Sequence, residues 1–176
     1  MKTQSEFLFE ESQHFTQWWL WMIIGLAALT TNLVFGYGLF QQLILGKPWG
    51  SSPLQDELLL IVSLFTITST GAVLLLFYTA NLQTRISKAG VAYRFTPFIR
   101  SWKMIVPGNI VACSAQAHKA LGYGVRITFQ GVVLLSVRGS QAVQITRQDG
   151  SAIAFGTQQP EKFLEALGHI CSSTLS

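Results

Sequence analysis

Charge is scarce in the first half of this sequence. Asp, Glu, Lys and Arg together make up 11% of the 176 residues, against about 25% in a typical soluble domain. Residues 12–46 and residues 58–84 contain none of these four residue types. Because a soluble surface needs charged side chains, these two stretches are not typical of a water-exposed fold.

Cysteine and catalytic motifs are also scarce. The two cysteines, Cys113 and Cys171, show neither a CxxC motif nor metal-ligand spacing, so they are predicted to be small, buried, reduced thiols. The sequence has no P-loop, GxSxG or HExxH motif. The carboxylates after residue 84 are predicted to lie in a turn or on a wet helix face, whereas acid–base chemistry needs converging groups in a dry cleft. These three carboxylates are Asp149, Glu161 and Glu165. The chain is therefore predicted not to be an enzyme and not to hold a cofactor or a metal.

Two long apolar runs are predicted to span a membrane as a helical hairpin over residues 18–84. A helix over residues 58–80 rises about 1.5 Å per residue and crosses a hydrocarbon layer of roughly 30 Å. The first span covers residues 18–42, with its end at Leu39 or as late as Leu45, and three tryptophans at its start are typical of the headgroup zone. The loop at 46–57 holds two prolines and two glycines, so the two spans are predicted to be antiparallel neighbours.

The N-terminal segment, residues 1–17, allows two interpretations. Phe7, Leu8, Phe15 and Trp18 fall on one face of a short helix that would lie in the membrane interface. The other interpretation is a frayed tail that leads into the first span. The segment is not a secretory signal, because its charged residues are mostly acidic.

Polar residues inside the hairpin indicate how its helices face each other. Asn32 lies near the middle of the first span, while Ser63, Thr66 and Thr70 follow helical spacing in the second. Because an unpartnered amide is costly in hydrocarbon, Asn32 is predicted to meet this Ser/Thr stripe. Two spans without ionisable residues cannot enclose an ion path alone.

Positive charge is concentrated after the second span. From residue 85 onward there are ten Lys and Arg against three acids, about +7, whereas the loop at 46–57 has only Lys47. This asymmetry predicts a cytoplasmic C-terminal domain and, with two crossings, a cytoplasmic N-terminus. A basic surface beside a membrane favours anionic lipid headgroups over nucleic acid as the partner. The candidate lipid contacts are Arg85, Lys88, Arg94, Arg100 and Lys103; the alternative is that they only set topology and solubility.

Short strand-like runs follow at residues 91–95, 99–105, 110–116, 125–129 and 132–138. Such spacing predicts a compact antiparallel sandwich or barrel. At Asp149-Gly150, a three-residue loop with left-handed Gly150 brings Val143 and Ile145 onto the same face as Ile153 and Phe155, with Arg147 opposite Ser151. A helix over about residues 160–171 then shows an apolar stripe of Phe163, Leu164, Leu167 and Ile170.

Several of these residues carry a family resemblance. They are Trp102 in a basic strand, GYGVR at 122–126, the strand at 143–146, Asp149-Gly150, and GTQQPE at 156–161 before an amphipathic helix. Over residues 85–171 the chain resembles the C-terminal region of small bacterial membrane proteins in which a pleckstrin-homology-like (PH-like) domain follows two transmembrane helices. The resemblance implies an α+β fold with about seven strands in two near-orthogonal sheets, capped by the C-terminal helix. The short loop Lys88-Ala89-Gly90 argues against specific recognition of inositol phosphates.

The sequence therefore predicts a non-enzymatic protein of the bacterial inner membrane. A hairpin at 18–84 presents a cytoplasmic PH-like domain at 85–171, with a tail at 172–176, for contact with protein or anionic lipid or for self-assembly. The alternative is an accessory subunit that docks through its hairpin on a larger membrane complex.

Overall fold

The computed structural model describes residues 7–117, 124–127, 132–137 and 141–172. The fold is mixed α+β and divides into two compact units. The helix unit is Thr16–Tyr78, and the strand unit joins Met1–Phe15 to Thr79–Ser176. The strand unit is thus built from chain on both sides of the helix unit.

The helix unit contains two long helices. Helix α1 is Trp18–Leu39 and continues as a π-helical segment, Phe40–Ile44, while α2 is Asp56–Thr79. Both are long and apolar enough to span a membrane, with mean hydropathies of 1.7 and 2.3. Their ends lie within two residues of the predicted spans, because long uncharged runs leave little choice of structure.

The connection between α1 and α2 is fixed to the helix ends by side chains. The Gln42 amide donates to the Leu54 carbonyl at 2.6 Å and to the Asp56 carboxylate at 2.7 Å. The Trp49 indole lies on Gly38, where an added Cβ would come within 2.6 Å of the ring. Because Gly38 has no side chain, the Trp49 indole can pack closely against the helix at this position.

The first sheet has four antiparallel strands in sequence order: β1 (Phe9–His14), β2 (Asn81–Ser87), β3 (Gly90–Thr96) and β4 (Ile99–Ile105). Alternate residues point into the core, such as Leu82 and Ile86 on β2 and Phe95 on β3. Gly90 starts β3 with a φ of 132° beside the Ile105 carbonyl, where a Cβ would collide. Its lack of a side chain lets β3 and β4 approach after the turn.

Both interpretations of residues 1–17, an interfacial helix and a frayed tail, are wrong over Phe9–His14, because this segment is an edge strand. It pairs with β2 from Phe9↔Ile86 to His14↔Asn81. Phe9 and Gln13 are buried while the residues next to them are exposed or half-buried, which is the two-residue period of a strand. The boundary at residue 85 is corrected for the same reason, since β2 already begins at Asn81.

The second sheet is mixed. It contains β5 (Ile110–Ala117), β6 (Gly124–Ile127), β7 (Val133–Ser136), β8 (Gln141–Arg147) and β9 (Ala152–Gly156), in the order β5-β8-β9-β7-β6. β7 and β9 pair in parallel and the other pairs are antiparallel. The described strands therefore correct the prediction of about seven antiparallel strands: nine strands form two sheets and no closed barrel. Parallel pairing joins residues distant in sequence, so turn signals do not reveal it.

The β8–β9 hairpin is confirmed as predicted. Ile145 lies opposite Ile153 and Val143 opposite Phe155, while Gly150 has a φ of 79°. The Arg147 amide donates to the Ser151 carbonyl at 2.9 Å. The length of the loop and the alternation of side chains between the two faces of each strand were sufficient to determine this register.

Helix α3 (Pro160–Ser172) contacts β1 and β2 of the first sheet and β5 and β8 of the second. The predicted stripe is buried at Phe163, Leu167 and Ile170. The ring of Phe163 lies 5.1 Å from that of Phe9 and 6.1 Å from that of Phe155. These rings connect β1, α3 and β9 in one core.

Polar side chains of β1 also bind the β9–α3 connection. The buried Gln13 amide donates to the Gly156 carbonyl at 2.7 Å. The Glu11 carboxylate accepts from the Thr157 hydroxyl at 2.6 Å and from the Gln158 amide at 3.0 Å. β1 is therefore joined to three parts of the strand unit: β2, α3 and the segment before α3.

Removing the Phe9 side chain tests this integration. Phe9→Ala is expected to lower the free energy of unfolding of the strand unit by about 3–5 kcal/mol, because a ring that is 7% exposed is lost from the core. Leu8→Ala is the matched control, since Leu8 is 45% exposed and its loss should cost less than about 0.5 kcal/mol. Pulse proteolysis of the full chain in urea measures both, and equal effects would show that β1 is not part of the core.

Candidate functional site

The five predicted lipid-contact residues all belong to the first sheet, but they do not form one patch. Arg85 and Arg94 lie on the outer face of β2 and β3. Lys88 is in the β2–β3 turn and Arg100 is on the edge strand β4. Lys103 lies opposite Tyr93, whose side chain is buried. Because successive residues of a strand alternate between the two faces, Lys103 is placed on the other face of the sheet from Arg94.

Arg85 and Arg94 converge on Trp102, and we call these three residues the Trp102 cluster. The guanidinium carbon of Arg85 lies 4.6 Å from the centroid of the indole, and that of Arg94 lies 4.7 Å from it. Arg85 also donates to the Glu10 carboxylate at 2.7 Å, and Arg94 to the Gln83 side-chain oxygen at 2.7 Å. Two of the five predicted lipid contacts are thus engaged within the sheet.

Three of the predicted basic residues are exposed and lack an acidic partner. Arg85–Glu10 is the single ion pair among the residues that the structure describes. Lys88, Arg100 and Lys103 are all exposed. Their charges are therefore free to meet an external anion, whereas the charge of Arg85 is partly neutralised by Glu10.

Lys103 lines a cleft of about 560 Å³, which we call the Lys103 cleft. Asn109 and Arg147 also line it, so β4, the short 3-10 turn Pro107–Asn109 and the β8–β9 hairpin all contribute. The Arg147 Nε is buried and has no hydrogen-bond partner among the described atoms. A guanidinium N–H with unused capacity beside a lysine is suited to an anionic group.

One carboxylate also lines the Lys103 cleft. Asp149 accepts hydrogen bonds from the Ser151 hydroxyl at 2.6 Å and from the Ser151 amide at 2.9 Å. These bonds, together with the positive charge of Arg147, lower the pKa of Asp149. Asp149 is therefore charged at neutral pH, and an anion entering the cleft would have to bind away from it.

Sequence reasoning missed Arg147 and Asn109 as members of this cleft. The sequence pattern places Arg147 only opposite Ser151, at the start of the β8–β9 loop. No local pattern joins them to Lys103, because three separate segments meet there. The position of Arg147, a basic residue beside the β8–β9 hairpin, was the one sequence signal for this cleft.

An apolar groove of about 470 Å³ lies between β5 and α3. Val111 and Leu164 line it, and so do both cysteines, Cys113 and Cys171. The two cysteines are free and half-buried. The predicted burial of both thiols is therefore only partial, and the structure adds that they share one groove.

The predicted hydrogen bonds within the hairpin are replaced by local ones. The Asn32 amide donates to the Ala28 carbonyl at 2.7 Å, and the hydroxyls of Thr66 and Thr70 donate to the carbonyls four residues earlier, also at 2.7 Å. Such local bonds satisfy a polar side chain without a partner helix. The prediction that Asn32 donates to the Ser/Thr stripe is therefore wrong.

The four predicted hairpin residues have different surroundings. The Ser63 hydroxyl is buried and has no hydrogen-bond partner among the described atoms. Thr70 lines an apolar groove of about 380 Å³ between α1 and α2, together with Ala27, Ala28 and Thr31. Asn32, Ser63 and Thr66 are not among the residues that line this groove.

No group of three or more His, Cys, Asp or Glu residues that could hold a metal ion occurs in the described part of the chain. No protein-family model matches the sequence, and no curated protein matches it. The function is therefore argued from the geometry alone.

The Trp102 cluster predicts a measurable coupling between the indole and Arg94. In a double-mutant cycle of Trp102→Ala and Arg94→Ala, we expect a coupling free energy of about 0.5–1 kcal/mol, because a partly exposed cation–π pair is lost. The cycle of Trp102→Ala with Arg100→Ala is the control and should give a coupling near zero. Urea unfolding of the full chain measures both, and equal couplings would contradict a specific Arg94–Trp102 contact.

Proposed function

We propose that this chain is a non-enzymatic membrane protein of the bacterial inner membrane, and that its strand unit is a cytoplasmic module which contacts anionic lipid headgroups. The first support comes from the two apolar helices. Large side chains on both, such as Leu26 and Phe65, are exposed by 63% and 72%. Such surfaces are costly in water and suited to lipid.

The pairing of β1 with β2 supports a two-crossing topology. β1 precedes α1 and β2 follows α2, yet the two strands are neighbours in one sheet. The residues before the first helix and after the second therefore have to lie on the same side of any membrane. The excess of Lys and Arg after residue 84 supports the cytoplasmic side.

We further propose that the strand unit is PH-like. Two sheets and a C-terminal helix that contacts strands of both support this assignment. The added strand β1 and the parallel β7–β9 pair depart from the pattern that the resemblance implies. If the assignment holds, these two features are specific elaborations of this chain.

The observation that carries the lipid contact is the set of exposed cations that have no acidic partner among the described residues: Lys88, Arg100 and Lys103. Each basic residue held near an anionic surface contributes about 1 kcal/mol, so each of the three that reaches the headgroups would favour anionic over neutral lipid by roughly fivefold. The half-exposed Trp102 lies on the same strand as Arg100 and Lys103 and is suited to the headgroup zone.

A second candidate is an accessory subunit that docks through its helices. The groove between α1 and α2 is lined by small residues, including Ala27, Ala28 and Thr31. Small residues allow a further helix to pack closely in a membrane. This alternative predicts a co-purifying membrane protein and no preference for anionic lipid.

Lysine footprinting of the full-length protein in nanodiscs tests the lipid contact. With an amine-reactive label, we expect Lys88 and Lys103 to react several-fold more slowly in discs with anionic lipid than in neutral discs, because headgroups cover them. About 0.5 M salt should remove the difference, since it shortens the screening length to a few ångströms. Site-resolved mass spectrometry gives each rate.

Lys162, exposed on α3, is the internal control and should react equally in both kinds of disc. Arg100→Gln should partly restore the labelling of Lys103. Equal labelling of Lys88 and Lys103 in both discs, or an equal slowing of Lys162, would contradict a lipid contact through this surface.

A further inference from the structure

The two cysteines of the chain come from opposite walls of one groove. Cys113 is in the middle of β5, an edge strand of the second sheet, and Cys171 is in the last turn of α3. Both line the apolar groove between these two elements, together with Val111, Leu164 and Leu167. The helix packs against this strand, so the two cysteines share one groove although they lie far apart in the sequence.

The thiols are also close enough to influence each other. Cys171 is one of the groups that raise the pKa of Cys113. Both are free and half-buried. None of the described residues that line the groove is charged.

We propose that Cys113 and Cys171 form an oxidation-sensitive dithiol pair, which closes to a disulfide in the presence of a small disulfide such as glutathione disulfide. The bond would join the last turn of α3 to the edge strand β5 across the groove. The groove would then be open in the reduced protein and bridged in the oxidised one.

Burial is the main cause that raises the pKa of Cys113 to about 12, and the charge and the thiol of Cys171 raise it further. Cys113 therefore stays protonated at neutral pH, and because the thiolate is the nucleophile, Cys171 has to attack first. A bond forms between the Cys171 sulfur and one glutathione sulfur, and the other glutathione leaves as a thiolate that takes up a proton from water.

The first step prepares the second. Once Cys171 is a mixed disulfide it has no negative charge and no S–H, so two of the three causes that raise the Cys113 pKa are removed. Cys113 then loses its proton to solvent and attacks the Cys171 sulfur, and the second glutathione leaves. In total, two protein thiols are oxidised and one glutathione disulfide is reduced to two glutathione thiols.

The bridge would act on the core as well as on the groove. Helix α3 contacts β1, β2, β5 and β8, so fixing its last turn to β5 restrains an element that both sheets share. The redox state of the pair would thereby control both access to the groove and the mobility of the α3 C-terminal turn. This inference does not depend on the proposed lipid contact.

Oxidation of the full-length protein in detergent micelles tests the pair. The reduced protein is exposed to buffers of increasing glutathione disulfide, quenched with acid, and labelled with a maleimide polymer that adds a countable mass to each free thiol. We expect a change from two labels to none on a monomer, with no glutathione left on the protein. Glutathione on both cysteines at once, or a disulfide-linked dimer, would overturn the proposal.

Single-cysteine variants test the order of events. Cys113→Ser should stop at one glutathione on Cys171, and Cys171→Ser should react several-fold more slowly than Cys113→Ser, because burial of Cys113 remains. In the reduced wild-type protein, maleimide should label Cys171 at least ~10-fold faster than Cys113. Faster labelling of Cys113 would contradict the assigned order.

Hydrogen exchange shows whether the bridge restrains the helix. Amides in the second half of α3 should exchange several-fold more slowly in the oxidised wild-type protein than in the reduced one. Neither single-cysteine variant should show this change under the same oxidising conditions. An oxidised protein with unchanged exchange would remove the proposed effect on α3 and on the groove.

Discussion

The pairing of β1 with β2 is the constraint on which the rest of the structure depends. These neighbouring strands are separated in sequence by the whole helix unit, with His14 opposite Asn81. Phe9, Glu11 and Gln13 connect β1 to α3 and to the segment before it. Closing so long a connection costs entropy, which the buried ring and the charge-assisted hydrogen bonds must offset. The strand unit therefore folds as one body only when the segment before α1 and the segment after α2 both take part in it.

This pairing also divides the positive charge of the first sheet. Glu10 on β1 forms an ion pair with Arg85, which lies over Trp102 together with Arg94. Without β1, Arg85 would keep its contact with Trp102 but would have no acidic partner among the described residues. With it, the exposed cations are Lys88, Arg100 and Lys103. Residues close to the N-terminus thus determine which charges of the sheet can act outside it.

The features that the sequence predicts correctly are those determined by residues close to one another in the chain. The two long helices followed from uncharged apolar runs, the β8–β9 register from loop parity at Gly150, and α3 from its buried stripe. The sequence could not predict β1, because Phe9 is the only apolar residue of Phe9–His14 and the strand partner lies beyond the helix unit in the sequence. The parallel β7–β9 pair and the meeting of Lys103 with Arg147 are also non-local. Asn32 needs no partner on the other helix, because its amide donates to the Ala28 carbonyl four residues earlier in the same helix.

Hydrogen exchange across residues 8–14 of the full-length protein tests the central claim most directly. The Leu8 amide donates to the Ile86 carbonyl at 2.8 Å, and along an antiparallel strand every second amide faces its partner. The account predicts that these alternate amides of β1 exchange slowly, together with those of β2. Exchange of all residues 8–14 at the rate of an unstructured peptide, while β2 and β3 stay protected, would contradict it.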